Sequence, residues 1–304
     1  MQAQDHIIRK QVQLVVAPSI LGLRPSGVEY LADALLAAGL RLCLNTDLAV
    51  VRVPDLNDRY SAERDAVTLC LNAGAIREFS EVLGPVVAMS IADGHFPLVL
   101  GGDCSILIGI MAALRRRSGY GLVFMDAHAD FYAPHQSTTG EVADMDLAIV
   151  TGRGPDLLTD IDGGKPYVPD EKVLHIGQRD QEETRRYGSQ EIRDTAIRCL
   201  DLDFIEANGT AAVISETLKF LEDAPVYGCW LHFDTDVLAD DVNPAVDYRL
   251  PGGLSLGAAR EILSALLATG RIAGMSVTIF NPTKDEGGVI AGRLVEMLGS
   301  NEAL

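Results

Sequence analysis

Short apolar runs alternate along the chain with longer amphipathic segments. The apolar runs are about as long as buried strands and occupy residues 12–18, 96–100, 121–125, 172–177, 226–233 and 272–280. Segments with helical periodicity lie at 27–39, 105–119 and 287–300. Near-continuous apolar strands separated by helices are typical of a parallel sheet that is covered on both faces. The pattern therefore predicts an α/β protein with three αβα layers, folded as a single domain over residues 1–304.

Charged side chains follow two of the apolar runs at a spacing of two residues. Asp126, His128 and Asp130 come directly after the third run, and Asp234 and Asp236 come after the fifth. In an extended chain, residues two apart share a face, and parallel strands end at one edge of their sheet, where such folds bind ligands. Crowded carboxylates at a partly desolvated edge repel each other unless a cation neutralises them. The two motifs together predict a divalent-metal site.

A cysteine follows the second apolar run, in the stretch VLGGDCS at residues 99–105. Cys104 has three interpretations: a core residue, a metal ligand, or a nucleophile at the start of a helix that begins near Ser105. The carboxylates expected nearby disfavour a core residue, and a nucleophilic thiolate needs a nearby base. The other cysteines are widely spaced, so we expect small core residues rather than disulfide partners. They are Cys43, Cys70, Cys199 and Cys229.

Charge narrows the range of partners. The 304 residues carry a formal net charge of −18, which disfavours nucleic acids and anionic membrane surfaces, because both require clustered Lys and Arg. The sequence shows no signal-peptide pattern and no apolar run long enough to span a membrane. We therefore expect a cytoplasmic protein that acts on a small molecule.

Three motifs together resemble those of the ureohydrolase (arginase–agmatinase) family. They are LGGDCS against the family's GGDHS, MDAHAD against DAHxD, and HFDTDVLADDVNPAVDYRLPGGLS against SFDxDxLDPxxxPGTGTPxPGGL. The resemblance implies three αβα layers around a parallel sheet of about eight strands, a binuclear manganese centre bridged by a hydroxide, and a homo-oligomer, either a trimer or a hexamer. The ligand positions that it implies are Cys104, Asp126, His128, Asp130, Asp234 and Asp236.

The first departure from the family pattern is Cys104 itself, because the family has histidine at that position. In the pattern, Asp126 and Asp234 contact both ions, and Asp130 and residue 104 complete one of the two sites. A thiolate is a softer ligand than imidazole and favours zinc, iron or nickel over manganese. One ion or two is therefore expected, with manganese implied by the family and a softer metal favoured by the thiolate.

The second departure lies in the loop after Asp130. Aligned from the TTG element, the family's catalytic histidine falls on Ala143, which cannot transfer a proton. Glu141, Asp144 and His135 lie in the same loop and are candidates to replace it.

A further histidine, His232, shares a strand face with Asp234, at a position where the family usually has serine. His232 has three interpretations: an acid–base group, a residue that hydrogen-bonds to a metal ligand, or a hydrogen-bonded core histidine. The candidate catalytic residues are therefore Asp130, His232 and Glu141.

The third departure concerns the substrate. The position that carries a guanidinium-binding glutamate in the family is Ile279, and a guanidinium requires a planar carboxylate partner. Tyr132 and Thr139 replace smaller polar or amide groups at the positions that would recognise the carboxylate of an amino acid. Asp180 and Glu182 are either candidates to bind an amine or solvated loop acids. These residues predict that L-arginine is not the substrate.

Two functions fit these residues. The first is a metal-dependent hydrolase that cleaves a C–N bond in a small amidine, guanidino or amide compound. The alternative is a non-catalytic or regulatory subunit of an arginase-like assembly, since the loop histidine and the guanidinium-binding glutamate are both absent.

Overall fold

Eight parallel strands form the centre of the computed structural model, which describes residues 10–116, 119–223 and 228–300. The strands are β1 (Val12–Ala17), β2 (Val51–Arg52), β3 (Phe96–Gly101), β4 (Tyr120–Met125), β5 (Val173–Ile176), β6 (Arg198–Leu200), β7 (Gly228–Asp234) and β8 (Ile272–Thr278). They lie in the order β2-β1-β3-β8-β7-β4-β5-β6, and every neighbouring pair is parallel. This confirms the predicted parallel sheet of about eight strands.

Helices cover both faces of the sheet. They are α1 (Leu31–Ala37), α2 (Leu40–Cys43), α3 (Ala73–Ala92), α4 (Ile106–Arg115), α5 (Asp146–Val150), α6 (Asp156–Thr159), α7 (Gln181–Tyr187), α8 (Leu202–Glu222), α9 (Leu256–Ala268) and α10 (Val289–Gly299). Among the described residues, no helix is both long enough and apolar enough to cross a membrane.

The two layers arise from the alternation of side chains along each strand. Leu14 and Val16 of β1 belong to a core that contains residues of α1, α2, α8, α9 and α10. Val15 and Ala17 of the same strand point the other way, into a core formed with α3, α4, α5 and α6. Because both faces are covered, the inner strands are apolar at nearly every position, which is the pattern that the sequence displays.

The outermost strands were not among the predicted apolar runs. β2 has two residues and β6 has three, and both contain an arginine. An edge strand is half exposed and short, so it lacks the continuous apolar run by which the inner strands are recognised. Residues 226 and 227 of the predicted strand 226–233 lie outside the described residues.

One prediction about the cysteines is wrong. Cys43, at the end of α2, is exposed rather than part of the core. Cys70 and Cys229 are buried and Cys199 is partly buried. All five cysteines lie in the described part of the chain and none of them forms a disulfide, as expected.

Candidate metal centre and active site

The candidate ligands converge at the carboxyl edge of the sheet. Cys104 follows β3, Asp126 follows β4 and Asp234 ends β7. Between β3 and β7 lies β8, whose last residue, Thr278, is fully buried. Thr278 is a polar residue of the site that the sequence analysis missed, although a polar residue at the end of an apolar strand is a recognisable signal.

The turn after β3 orients Cys104. Gly102 lies so close to Ser19 that an added Cβ would be 1.9 Å from the Ser19 carbonyl oxygen, so only glycine fits there. The buried carboxylate of Asp103 accepts hydrogen bonds from Ser19 Oγ at 2.9 Å and from the Ser105 backbone N–H at 2.8 Å. These contacts fix the backbone on both sides of Cys104, and α4 starts at Ile106 with Ser105 as its N-cap, close to the predicted start.

Cys104 contacts the ends of β8 and β7, the next two strands of the sheet on one side of β3. Its Sγ donates to Asp234 Oδ2 at 2.7 Å and lies 3.3 Å from Thr278 Oγ1. Burial raises the pKa of the Cys104 thiol well above its ordinary value, and the charge of Asp234 raises it further. A raised pKa disfavours a free thiolate, so the nucleophile interpretation is unsupported, whereas coordination to a cation would stabilise the thiolate.

His128 joins two of the predicted ligands. Its Nδ1 lies 2.9 Å from Asp236 Oδ2 and 3.6 Å from Asp126 Oδ1, and its backbone N–H donates to Asp126 Oδ1 at 2.7 Å. Burial disfavours the charged form of both groups, the imidazole and the carboxylate, but their mutual attraction is stronger. This attraction raises the pKa of His128 and lowers the pKa of Asp236. The two side chains therefore form an ion pair at one side of the site.

Asp130 has a carboxylate neighbour that the sequence analysis missed. Asp130 takes a left-handed backbone conformation with φ of 46°, which aspartate tolerates better than most residues. Beside it lies Asp146 at the start of α5, which is fully buried and has no hydrogen-bond partner for either carboxylate oxygen. Burial and the charge of Asp126 raise the pKa of both Asp130 and Asp146. No spacing in the sequence predicts Asp146 at this position, because a loop separates it from the strand ends.

The donor atoms fit divalent cations. One group comprises Cys104, Asp126, His232 and Asp234, with one ligand atom of each lying within 4.8 Å of all the others. A second group comprises Asp126, His128 and Asp130 under the same limit. Asp126 belongs to both groups, its Oδ2 is buried without a partner, and burial followed by the charge of Asp236 raises its pKa to about 7. Buried, mutually repelling carboxylates with an unpartnered oxygen are what a bound cation satisfies.

His232 is fully buried in β7, two residues before Asp234. Its Nδ1 is 2.9 Å from Ser276 Oγ, which also accepts a hydrogen bond from Trp230 Nε1 at 3.0 Å. The ring stacks on Phe124, with 4.9 Å between ring centroids and 14° between planes. Its Nε2 faces the site and is 3.4 Å from Thr278 Oγ1. Burial lowers the pKa of His232 to about 3.

A cavity of about 430 Å³ opens onto the two donor groups. Its lining includes Cys104, His128, Asp130, Asp234 and Asp236, together with six residues singled out from the sequence as candidates for the substrate or the loop: Tyr132, Thr139, Glu141, Asp144, Asp180 and Ile279. Two other candidates do not line it. His135 is exposed elsewhere on the loop, and on α7 it is Glu183, rather than Glu182, that lines the cavity.

Comparisons with known proteins identify the family. The profile described as "Arginase family" matches residues 12–299 of this chain. The chain belongs to the arginase family. It is 30% identical over 299 residues to an arginase of Staphylococcus aureus strain COL, covering 96% of each chain, and 30% identical to an arginase of Bacillus subtilis strain 168. Among solved structures, an arginase from Bacillus cereus shares 29% identity with a TM-score of 0.83, covering 96% of this chain and 97% of the other.

Membership of the arginase family makes the chain a ureohydrolase-type hydrolase that acts on C–N bonds other than peptide bonds. Enzymes of this family act on small molecules and typically bind two divalent metal ions. The two donor groups at the strand ends are consistent with that number.

The three departures from the family pattern lie side by side. Cys104, Ala143 and Ile279 pack in one small apolar cluster with Ile20, Leu23, Val28 and Val246. Ile279 has φ of 71°, a left-handed conformation that is rare for a β-branched residue, and its backbone N–H donates to the Gly102 carbonyl at 2.9 Å. The cavity wall next to the metal centre is therefore apolar where the family pattern is polar or charged.

The loop acids are held in two different ways. Glu141 Oε2 accepts a hydrogen bond from the Tyr248 hydroxyl at 2.6 Å, and Glu141 Oε1 forms an ion pair with Arg24, whose Nε lies 3.0 Å away, without a hydrogen bond. Asp144 Oδ2 accepts from Ser137 Oγ at 2.8 Å, whereas its Oδ1 is buried without a partner. Burial raises the pKa of Asp144 to about 7. Of the two acids, Asp144 is the one with an oxygen that has neither a hydrogen bond nor an ion pair.

Proposed function

We propose that this arginase-family chain hydrolyses a C–N bond in a small amidine, guanidino or amide compound, and that L-arginine is not its preferred substrate. The observation that carries the proposal is the position of Ile279, which lines the cavity within the same apolar cluster as Cys104 and Ala143. A guanidinium against this wall has no carboxylate partner, at a cost on the order of several kcal/mol. The wall favours a neutral amide at the reacting end.

Another part of the cavity lining is acidic and supports an amine at the other end of the substrate. Asp180 and Glu183 both line the cavity. Asp180 is buried, with its carboxylate accepting from the Ala129 backbone N–H at 3.0 Å and from Gln178 Nε2 at 3.0 Å. Glu183 is exposed on α7 and is free to follow a bound ammonium group. Tyr132 and Thr139 would define the shape of the cavity between these two ends.

Divalent ions bound to the two donor groups would supply Lewis-acid activation of water. Asp126, His128 and Asp130 form one donor group and would hold one ion, although the family pattern assigns Asp130 to the site of residue 104. Imidazole and carboxylate donors of this kind suit manganese. Cys104 would hold the other ion, together with Asp234 and with Asp126, which belongs to both groups. The thiol favours a softer metal such as zinc, iron or nickel on that side.

Asp144 would transfer the proton that the loop histidine transfers in the family pattern. A general acid or base works best when its pKa lies near the operating pH, and burial places the pKa of Asp144 at about 7. Its unpartnered Oδ1 leaves one oxygen available for a proton. Glu141, whose oxygens bind Tyr248 and Arg24, would position the Tyr248 hydroxyl at the cavity rather than transfer a proton itself.

Two further parts of the proposal rest on the family likeness and on composition. We place the enzyme in the cytoplasm and expect a homo-oligomer, either a trimer or a hexamer. Size-exclusion chromatography with light scattering measures the latter directly.

A substrate panel tests the proposed function. The purified chain, loaded with manganese or zinc, is assayed for release of urea or ammonia from L-arginine, a formimino amino acid and an amino acid with a terminal amide. We expect kcat/KM for the amide to exceed that for L-arginine by about 100-fold, given the cost of an unpaired buried charge. Asp234→Asn is the inactive control. Preferential turnover of L-arginine would contradict the proposal.

A non-catalytic role is the second candidate, and the observation that favours it is Ala143, which leaves the loop without its histidine. In that case the isolated, metal-loaded chain turns over no member of the panel and forms a stable complex with an active homologue. Turnover by the isolated chain that disappears in Asp234→Asn excludes this role.

A further inference from the structure

We infer that His232 is a metal ligand, and that Cys104, Asp126, His232 and Asp234 form one thiolate–imidazole–dicarboxylate site for a borderline divalent cation such as zinc. The inference deepens the proposed function and rests on it, in that the site belongs to the same metal centre. It adds an imidazole that the family pattern does not supply, because position 232 usually carries serine in that pattern.

The first argument is geometric. One donor atom from each of the four side chains lies within 4.8 Å of all the others, and all four residues are buried. Donor atoms about 2.0–2.3 Å from a tetrahedral zinc ion lie roughly 3.3–3.8 Å from each other, so small side-chain adjustments close such a shell. Asp126, a member of this cluster, also has a buried Oδ2 atom without a hydrogen-bond partner.

The second argument is that the His232 ring is fixed with Nε2 toward the cluster. Ser276 Oγ lies 2.9 Å from Nδ1, and the indole N–H of Trp230 in turn holds Ser276. Stacking on Phe124 fixes the plane of the ring. A metal-bound histidine commonly donates its other ring N–H to a neighbouring oxygen, which is the role that Ser276 Oγ would have here.

The third argument concerns the existing contacts of Nε2. Its nearest hydrogen-bond partner, Thr278 Oγ1, is 3.4 Å away, which is long for a hydrogen bond. Thr278 Oγ1 is also 3.3 Å from Cys104 Sγ and 3.4 Å from Asp234 Oδ2, so it contacts three of the four proposed ligands. A divalent ion binding here would replace this set of long contacts with four short bonds and release the thiol proton to solvent.

Histidine 175 provides a matched control. It is fully buried, like His232, and lies on the other side of Phe124, with 5.2 Å between ring centroids. Its Nε2 contacts the His128 carbonyl oxygen at 2.8 Å, and the ring belongs to neither donor group. The variant His175→Gln therefore tests whether the loss of any buried histidine changes metal binding.

Cobalt titration of the full chain tests the inference. Cobalt bound to Cys104 produces a thiolate-to-metal charge-transfer band, which Cys104→Ala should abolish. We expect His232→Gln to weaken cobalt affinity at the thiolate site by at least about tenfold and to change the visible ligand-field bands, since one of four ligands is lost. We expect His175→Gln to leave both unchanged. An unchanged His232→Gln spectrum and affinity, or an equal loss in both histidine variants, overturns the inference.

A second measurement needs no substitution at His232 and covers the case in which that variant does not fold. In chain loaded with cadmium-113 and labelled with nitrogen-15 histidine, we expect two imidazoles to show cadmium coupling, and one in His128→Asn. Absence of the second coupled imidazole overturns the inference. Both readouts are independent of turnover, so they separate this inference from the proposed function: a chain that binds cobalt through Cys104 and His232 but hydrolyses nothing contradicts only the latter.

Discussion

The thiol of Cys104 donates a hydrogen bond to Asp234 Oδ2 across 2.7 Å, joining the end of β3 to the end of β7. The contact places a sulfur donor against a carboxylate that the family pattern assigns to both metal ions. The identity of residue 104 should therefore control which metal this side of the centre prefers.

Replacing the thiol by imidazole should shift metal preference toward manganese. In Cys104→His we expect manganese affinity to rise by about tenfold or more and the preference for zinc to shrink, because imidazole is a harder ligand than thiolate. Competition titrations with a chelating dye measure both affinities. Cys104→Ser, which removes the thiolate without adding imidazole, is the control, and equal manganese affinities in the two variants would refute the prediction.

A carboxylate at position 279 should admit a guanidinium. Ile279 lines the cavity beside the metal centre, and glutamate there would supply the missing planar partner. We expect Ile279→Glu to raise kcat/KM for guanidino compounds by about tenfold or more and to lower it for neutral amides. Ile279→Gln has the same length without the charge. If Gln and Glu change the ratio equally, the effect is one of size and the charge argument fails.

Removal of the charge at Asp146 should stabilise the protein in a chelating buffer. Asp146 is fully buried beside Asp130, and neither of its oxygens has a hydrogen-bond partner. An asparagine keeps the shape, removes a repelling charge and offers an N–H to Asp130. We expect the free energy of unfolding of Asp146→Asn to rise by about 1–3 kcal/mol in denaturant titrations with chelator present. A fall of that size would show that the carboxylate itself stabilises the fold.

Loss of the acid at position 144 should reduce turnover more than binding. Asp144→Asn keeps an acceptor for Ser137 and Thr139 but cannot transfer a proton. We expect kcat on the best substrate to fall by about 100-fold or more with little change in KM, consistent with loss of a general acid or base. Glu141→Gln is the comparison and should change KM more than kcat. The reverse pattern would assign the proton transfer to Glu141.

The raised pKa of Asp144 also predicts a specific dependence of stability on pH. Burial raises this pKa from 3.8 to about 7, so between these values the folded chain keeps a proton that the unfolded chain loses. Stability should therefore fall as the pH rises through this window, by about 1.4 kcal/mol per pH unit from this group. Asp144→Asn removes the effect.

Chemical denaturation in chelating buffer measures that dependence. Between about pH 5 and pH 7 we expect the variant to gain about 2–3 kcal/mol relative to wild type. The buried histidines titrate oppositely, but they are present in both proteins and cancel in the difference. Parallel stability curves for the two proteins would mean that Asp144 ionises as readily when folded as when unfolded.

The sequence by itself determined the layered fold and most of the candidate ligands. Apolar runs of strand length, separated by helical segments, leave few arrangements other than a parallel sheet covered on both faces. Because such strands end at one edge, Asp126 and Asp234 could be placed together without coordinates. The edge strands β2 and β6 were not predicted, because a half-exposed strand of two or three residues is too short to show a hydrophobic pattern.

Only the tertiary structure decided which side chains share a cluster. Cys104, Ala143 and Ile279 are far apart in sequence, and the packing of three separate loops brings them into one apolar wall. The same holds for Asp146, which α5 places beside Asp130, and for Nε2 of His232, whose direction depends on Ser276 and Phe124 in neighbouring strands. Spacing along one strand fixes which face a residue occupies, whereas the partners across that face come from strands and loops whose approach no local pattern specifies.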